Sequence, residues 1–360
     1  VKNRCLVSHF TDFGATGNFS PAQNSGIVGI IDSFTALKHP KKRVICCFQE
    51  VSLVENLTLS KMMCRPLDSA GKVLEDLNDA LERSISENHS GLNLEVSYLI
   101  DGRPITREMR VRFKHAGGFA CTICGKSVKK LFDGACWPCL QTSAQADRCV
   151  LNPVGCHYMA GTCREPAWGE EFCYQPHYVY ISFTDKYKVG ITRRNQIPTR
   201  WIDQGATMAV LVAAVGSRHQ AGILEDYLSQ KFADKSHWMK MLKAANNRPS
   251  MEEFNQVRGQ ALELLRDGLA GSQAEQLRAA LPKMIPTAAD VRLLDSAQIV
   301  SISFPIWNPL PEKITSLNLD KSPVLESEVL GIKGQYLILD SGVFNVRRHE
   351  GYVVNFEIQN

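Results

Sequence analysis

Eight of the chain's twelve cysteines fall between residues 121 and 173, and this crowding constrains the fold more than any other feature. Cys121-x-x-Cys124 and Cys136-x-x-Cys139 form two CxxC knuckles with eleven residues between them. Each knuckle aims two thiolates at one point, and two knuckles complete the tetrahedral four-sulfur shell that suits zinc. Cys149, Cys156, Cys163 and Cys173 follow at intervals of seven, seven and ten residues, a looser set in which His157 or His177 could replace a thiolate. The spacing predicts two structural Zn2+ sites. Disulfides and an iron–sulfur cluster draw on the same thiols and stay open at this point. Cys5, Cys46, Cys47 and Cys64 lack ligand spacing and read as buried free thiols.

A chain of 360 residues exceeds one ordinary core and suggests several domains. No apolar run approaches the roughly eighteen residues a membrane span needs. The start of the chain lacks the order of a secretory signal, and thiols gathered in knuckles suit a reducing compartment. A cytoplasmic protein without a membrane partner is the expectation. The net charge of +4 conceals an asymmetry: residues 101–200 hold fifteen basic and eight acidic side chains, a net +7, and the remainder is net −3. A basic block around a metal module is a phosphate-facing surface or a solvated face.

The pattern reads as an α+β multidomain chain. Residues 1–54 carry no motif. Residues 55–116 read as mixed α/β, with a helical stripe over 70–85 and a hairpin in which 94–99, the Asp101-Gly102 turn and 109–113 follow one another. The cysteine-rich, zinc-ribbon-like module covers 117–176. Residues 177–248 read β-β-α-β-α, with Pro198 opening a short helix and 208–215 forming a central strand. A helical linker over 249–297 begins at the capping box Ser250-x-x-Glu253. Strand-like stretches at 299–304, 313–319, 336–339 and 352–358, with turns at Gly331 and Gly334, suit a small C-terminal β-barrel over 298–360. Arg347-Arg348-His349, at a strand end there, is either a phosphate contact or a solvated turn.

Strand parity places Tyr178, Tyr180 and Ser182 on one face, and Lys188 and Gly190 on one face of the next strand. The run Tyr178-Val179-Tyr180, Lys188-Val189-Gly190, Arg200 and Glu225 resembles the GIY-YIG endonuclease superfamily in order and spacing. That resemblance implies a site in which Tyr180 assists an attacking water, Arg200 clamps the scissile phosphate and Glu225 ligates Mg2+. Phosphodiester hydrolysis needs those types: a base, positive charge for the pentavalent phosphorus, and a Lewis acid at the leaving oxygen. Tyr178 stands where the superfamily has glycine, and Lys188 where it has tyrosine; lysine neutralises phosphate but does not shuttle protons as a phenol does. Tyr178, Arg193, Arg194 and His219 are candidates to line the same nucleic-acid groove.

Over about 94–360 the chain resembles an uncharacterised bacterial family that joins a zinc-like module, a GIY-YIG-like segment and a C-terminal β region. The stretches that carry this include Gly161-Thr162-Cys163-Arg164, Arg200-Trp201-Ile202-Asp203-Gln204-Gly205-Ala206 and Gly331-Ile332-Lys333-Gly334-Gln335-Tyr336-Leu337. The expected function is DNA or RNA interaction with a metal-dependent nuclease site. A non-catalytic nucleic-acid-binding module and a protein-interaction scaffold are the alternatives.

Overall fold

A computed structural model describes residues 51–74, 77, 81, 91–233, 237–270, 291–310 and 314–359. The readings made for 1–50, including Cys5, Cys46 and Cys47, lie outside the described residues, as do residues 271–290 of the expected helical linker.

The described residues begin with β1 (Val51–Thr58), β2 (Met63–Leu67), β3 (Leu92–Ile100), β4 (Arg103–Ile105) and β5 (Arg110–Ala120). The cysteine segment carries β6 (Ser127–Val128), the short helices α1 (Trp137–Thr142), α2 (Arg148–Leu151) and α3 (Pro166–Phe172), and three single 3-10 turns. Next come β7 (His177–Phe183), β8 (Tyr187–Arg193), α4 (Thr199–Asp203), β9 (Met208–Val215) and α5 (Arg218–Ser229). Then α6 (Trp238–Lys243) leads to the long α7 (Met251–Ala270). The chain ends in β10 (Arg292–Leu293), β11 (Val300–Ser303), β12 (Ser316–Leu317), β13 (Val324–Lys333), β14 (Tyr336–Leu339), β15 (Gly342–Asn345) and β16 (Tyr352–Gln359). Among the described residues no helix is long and apolar enough to cross a membrane.

Two mixed sheets organise these strands, giving an α+β fold that is mostly sheet. One, in the order β1-β16-β5-β13-β14-β15-β12, curls as a half-barrel with β6 on β5. The other runs β2-β3-β11-β9-β7-β8, with β4 on β3 and β10 on β9. The cysteine segment lies between β5 of the first sheet and β7 of the second. The expected β-β-α-β-α run is present, and β9 is central, with β7 on one side and β11 on the other. Its Met208–Leu211 stretch and both neighbours are buried, which is why it reads as a continuous apolar run.

The pairing differs from the sequence expectation in three places, each for a local reason. The Asp101-Gly102 turn exists, with φ of 51° and 73°, but its two-residue geometry pairs Ile100 with Arg103, so β4 completes the hairpin and β5 crosses to the other sheet. The stretch at 299–304 forms β11, parallel to β3 and antiparallel to β9, because Val300, Ser301 and Ile302 are buried on both faces. Gly331 is not a turn but a bulge within β13; a Cβ there would stand 2.9 Å from the Ile306 Cα. The start of the helix expected at 70–85 is a turn, with Gly71 N–H donating to Asp68 O, and Val73 bridges Leu67.

Capping explains the helices that were legible. The Ser250 hydroxyl accepts from the Glu253 N–H at 3.1 Å, and Phe254, Ala261 and Leu265 bury the resulting stripe of α7. Ser217 caps α5 in the same way through Gln220 N–H at 3.2 Å.

Candidate functional site

The first cysteine cluster is built by turns within twenty residues. Gly125 (φ 71°) closes the first knuckle, its N–H donating to Cys121 O at 2.9 Å. Cys136 caps α1, where Pro138 in the first turn directs the second knuckle back toward the first. The sulfurs of Cys121, Cys124, Cys136 and Cys139 all lie within 4.8 Å of one another. Cys124 and Cys136 are 3.8 Å apart, far beyond the roughly 2.05 Å of a disulfide. It is also the separation a tetrahedral ion with bonds of about 2.3 Å imposes, at about 3.8 Å. The set therefore fits a single metal ion such as zinc, and the spread is tighter than several iron atoms require. Burial raises the Cys121 thiol, but N–H donors at Cys124, Cys136 and Ile123 outweigh it and bring it down to about 6. Cys139 is pushed up to about 12, first by the neighbouring Cys136. Four sulfurs this close cannot all ionise without a cation among them.

The second cysteine set shares one cavity. Cys149, Cys156, Cys163 and Cys173 line one small cavity of about 20 Å³, together with His157 and Asp147. Asp147, Cys149 and His157 bring their ligand atoms within 4.8 Å of one another. His157 points Nδ1 at Thr162 Oγ1 (2.8 Å), and Arg164 pairs with Asp147 at 2.8 Å. Of the two histidines considered from spacing, only His157 is here. His177 sits on β7, fully buried, with Nδ1 2.7 Å from Gln175 O and burial pulling its pKa down to about 4.

The GIY-YIG-like residues occupy one face of the second sheet. The β7–β8 register pairs Tyr178 with Thr192, Tyr180 with Gly190 and Ser182 with Lys188, so these side chains share a face as parity implied. Gly190 is required there: a Cβ would lie 2.5 Å from the Tyr180 hydroxyl. Tyr187 takes the opposite face, where it meets Phe254 (6.0 Å) and donates to Glu253 Oε1 at 2.8 Å. Arg200 on α4 and Glu225 on α5 both stand close enough to act electrostatically on Tyr180. With its carboxamide oxygen toward the guanidinium, Gln204 accepts from Arg200 Nε and Nη2 at 3.2 Å each, and its nitrogen meets the Tyr180 hydroxyl at 2.8 Å. Tyr180 itself is fully buried, which raises its pKa and closes the phenol off from solvent.

The other predicted contacts diverge. Tyr178 is buried, and Arg194 is exposed beyond the end of β8. Arg193 lays its guanidinium over Phe172 at 5.2 Å, and His219 bonds to the backbone of Val154. Both therefore face the cysteine segment. Arg218, which the sequence reading missed, joins the two regions: its N–H donates to Cys173 O, its guanidinium bonds Val150 O, and it feels both Arg200 and Glu225.

Lys188, itself buried, lines instead a cleft of about 440 Å³ whose far wall comes from the half-barrel: Tyr336, Asn345, Arg347 and Arg348. Arg347 and Arg348 are exposed, and neither has an ion-pair partner among the described residues. The one carboxylate lining the cleft, Asp203, is already engaged by Lys61 Nζ at 2.7 Å and Gln335 Nε2 at 2.8 Å. Gln335 also clasps the Met62 backbone through both amide atoms, at 2.7 and 3.0 Å. A Cβ at Gly334 would stand 2.9 Å from Asp203 O, so the two signature stretches at 200–206 and 331–337 are in direct contact. This junction fixes the width of the cleft.

Over residues 108–354 the sequence matches the family described as "Protein of unknown function (DUF2797)". The chain belongs to this family. No curated protein and no solved structure matches it. The DUF2797 match runs from just before β5 to the first residues of β16, so it takes in both cysteine clusters, the Tyr180 face and the cleft arginines. Lys61 and Met62, which brace Asp203 and Gln335, lie before it.

Proposed function

We propose that this protein binds nucleic acid, with backbone phosphates seated in the cleft against Lys188, Arg347 and Arg348. The supporting observation is the charge of the cleft's far wall: Arg347 and Arg348 are exposed and have no ion-pair partner among the described residues, and the carboxylate across from them, Asp203, is already neutralised by Lys61. Such a wall attracts a polyanion and releases its counterions on binding. Zn2+ in the first cysteine centre, and a second ion held by Cys149, Cys156, Cys163 and Cys173 or with His157 in place of one thiolate, would brace the fold beside it. Bound zinc supplies a structural cross-link there and no chemistry.

Metal-dependent phosphodiester hydrolysis is the second reading, and the convergence of Tyr180, Arg200 and Glu225 favours it. Glu225 would hold Mg2+, which supplies Lewis acidity at the phosphate. Burial of Tyr180 behind Gln204 weighs against a phenol that meets water, so binding is the primary proposal. One experiment separates the two: incubate the protein with labelled single- and double-stranded substrates in Mg2+ or Mn2+. Retention on the nucleic acid without cleavage is the expected result. Cleavage abolished by EDTA and by Glu225→Gln would establish the enzyme, and absence of any low-salt binding would remove both readings.

A further inference from the structure

The cleft holds more than charge. Trp238 on α6 and Tyr336 at the start of β14 both line it, with ring planes 9° apart and centroids separated by 5.8 Å. Both rings are half-buried, so each keeps an accessible part. The β13–β14 hairpin that carries Tyr336 also ties down the helix that carries Trp238. Buried Lys333 donates to Met241 O at 3.0 Å and to Ala245 O, fastening the end of α6 three residues before Tyr336. Met241 in turn lies where a Cβ on Gly205 would reach its sulfur at 2.6 Å. The Tyr336 hydroxyl is bonded to Asn345, which accepts from the Arg348 N–H at 3.1 Å. Aromatic rings and two arginines without an ion-pair partner among the described residues thereby line one recess.

Near-parallel aromatic rings beside cations form a stacking platform for unpaired bases, whose flat faces are exposed only when a strand is single. A recess of about 440 Å³ has room for one splayed nucleotide. We infer that the cleft selects single-stranded nucleic acid, taking an unpaired base onto the Trp238–Tyr336 rings while Arg347 and Arg348 hold the flanking phosphates. This rests on the nucleic-acid reading above and adds the strandedness and the base contact to it. Electrostatics alone favours the opposite choice, because a duplex carries more charge per unit length and releases more counterions per contact.

The test is fluorescence anisotropy at low salt with the full chain, using a labelled mixed-sequence oligodeoxynucleotide, the same strand annealed to its complement, and the RNA of the same sequence. Single strands should bind more tightly than the duplex. Trp238→Ala should weaken single-strand binding by about tenfold or more, the scale of one lost stacked base, and narrow the gap to the duplex. Trp238→Phe should restore most of it. Tyr336→Leu, with folding checked by circular dichroism, provides a second route should Trp238→Ala fail to fold. Equal or tighter duplex binding, or single-strand binding untouched by loss of the rings, would overturn the inference while leaving the nucleic-acid reading intact. No binding of any of the three would overturn both.

Discussion

The first cysteine centre and the cleft are assembled in opposite ways. Cys121 to Cys139 is a local object: two turns, one Pro-initiated helix and four sulfurs within 4.8 Å. The cleft gathers Lys188 and Asp203 from one sheet region, Trp238 from a helix, and Tyr336 and Arg348 from the half-barrel. A local site survives changes elsewhere but collapses with any one ligand. A site gathered from afar tolerates the loss of one contact, yet depends on every junction that sets the distance between its walls.

The largest expected effect therefore falls on the local site. Cys136→Ser should remove one equivalent of bound metal and unfold the 121–142 segment, because structural zinc contributes folding free energy on the order of 10 kcal/mol in small modules. Elemental analysis with thermal unfolding checks this; unchanged metal content would break the assignment. Cys156→Ser sharpens the comparison, since His157 and Asp147 line the same cavity and should leave part of that metal bound.

Next in size is Gly190→Ala. The added methyl would meet a fully buried Tyr180 ring at 2.5–2.6 Å, so destabilisation of about 1–3 kcal/mol is expected in denaturant titration. A variant as stable as the parent would show that the ring does not cross that glycine.

A pH-dependent effect, modest over any one pH unit, tests the junction at α6. Burial lowers the Lys333 amine from 10.5 to about 7. Between those values the unfolded chain binds the extra proton, so stability rises with pH across that window, by up to about 1.4 kcal/mol per unit. The amine keeps two N–H groups for Met241 O and Ala245 O when neutral. The stability of the parent relative to Lys333→Met should climb from pH 7 toward 10.5; parallel curves would contradict it.

The same contrast explains what was legible in the sequence. CxxC spacing encodes a local geometry, and strand parity fixes which side chains share a face, so the first four cysteines and the Tyr180–Gly190–Lys188 face could be read directly. The capping serines of α5 and α7 act over three residues and were equally legible or recoverable. Pairing was not, because it is non-local: β11 looked like part of a terminal barrel until its burial on both faces placed it between β3 and β9. Gly331 carried a turn signal, yet its reason is the backbone of Ile306 passing over it. Arg347 and Arg348 read as either a phosphate contact or a solvated turn at a strand end, and nothing in the sequence chooses between them, because nothing in it says that Lys188 lies across from them. Trp238 had no signal at all beyond being an aromatic on a short helix.

The central claim, that phosphates sit between the two sheets, is tested most directly by the salt dependence of single-strand binding in the parent and in an Arg347→Ala, Arg348→Ala double variant. Both side chains are exposed, so the fold should be unaffected. Two lost phosphate contacts should flatten the slope of log K against log salt by about 1.4, at about 0.7 per contact on a single strand. An unchanged slope and affinity would place the nucleic acid elsewhere on the molecule, or nowhere on it.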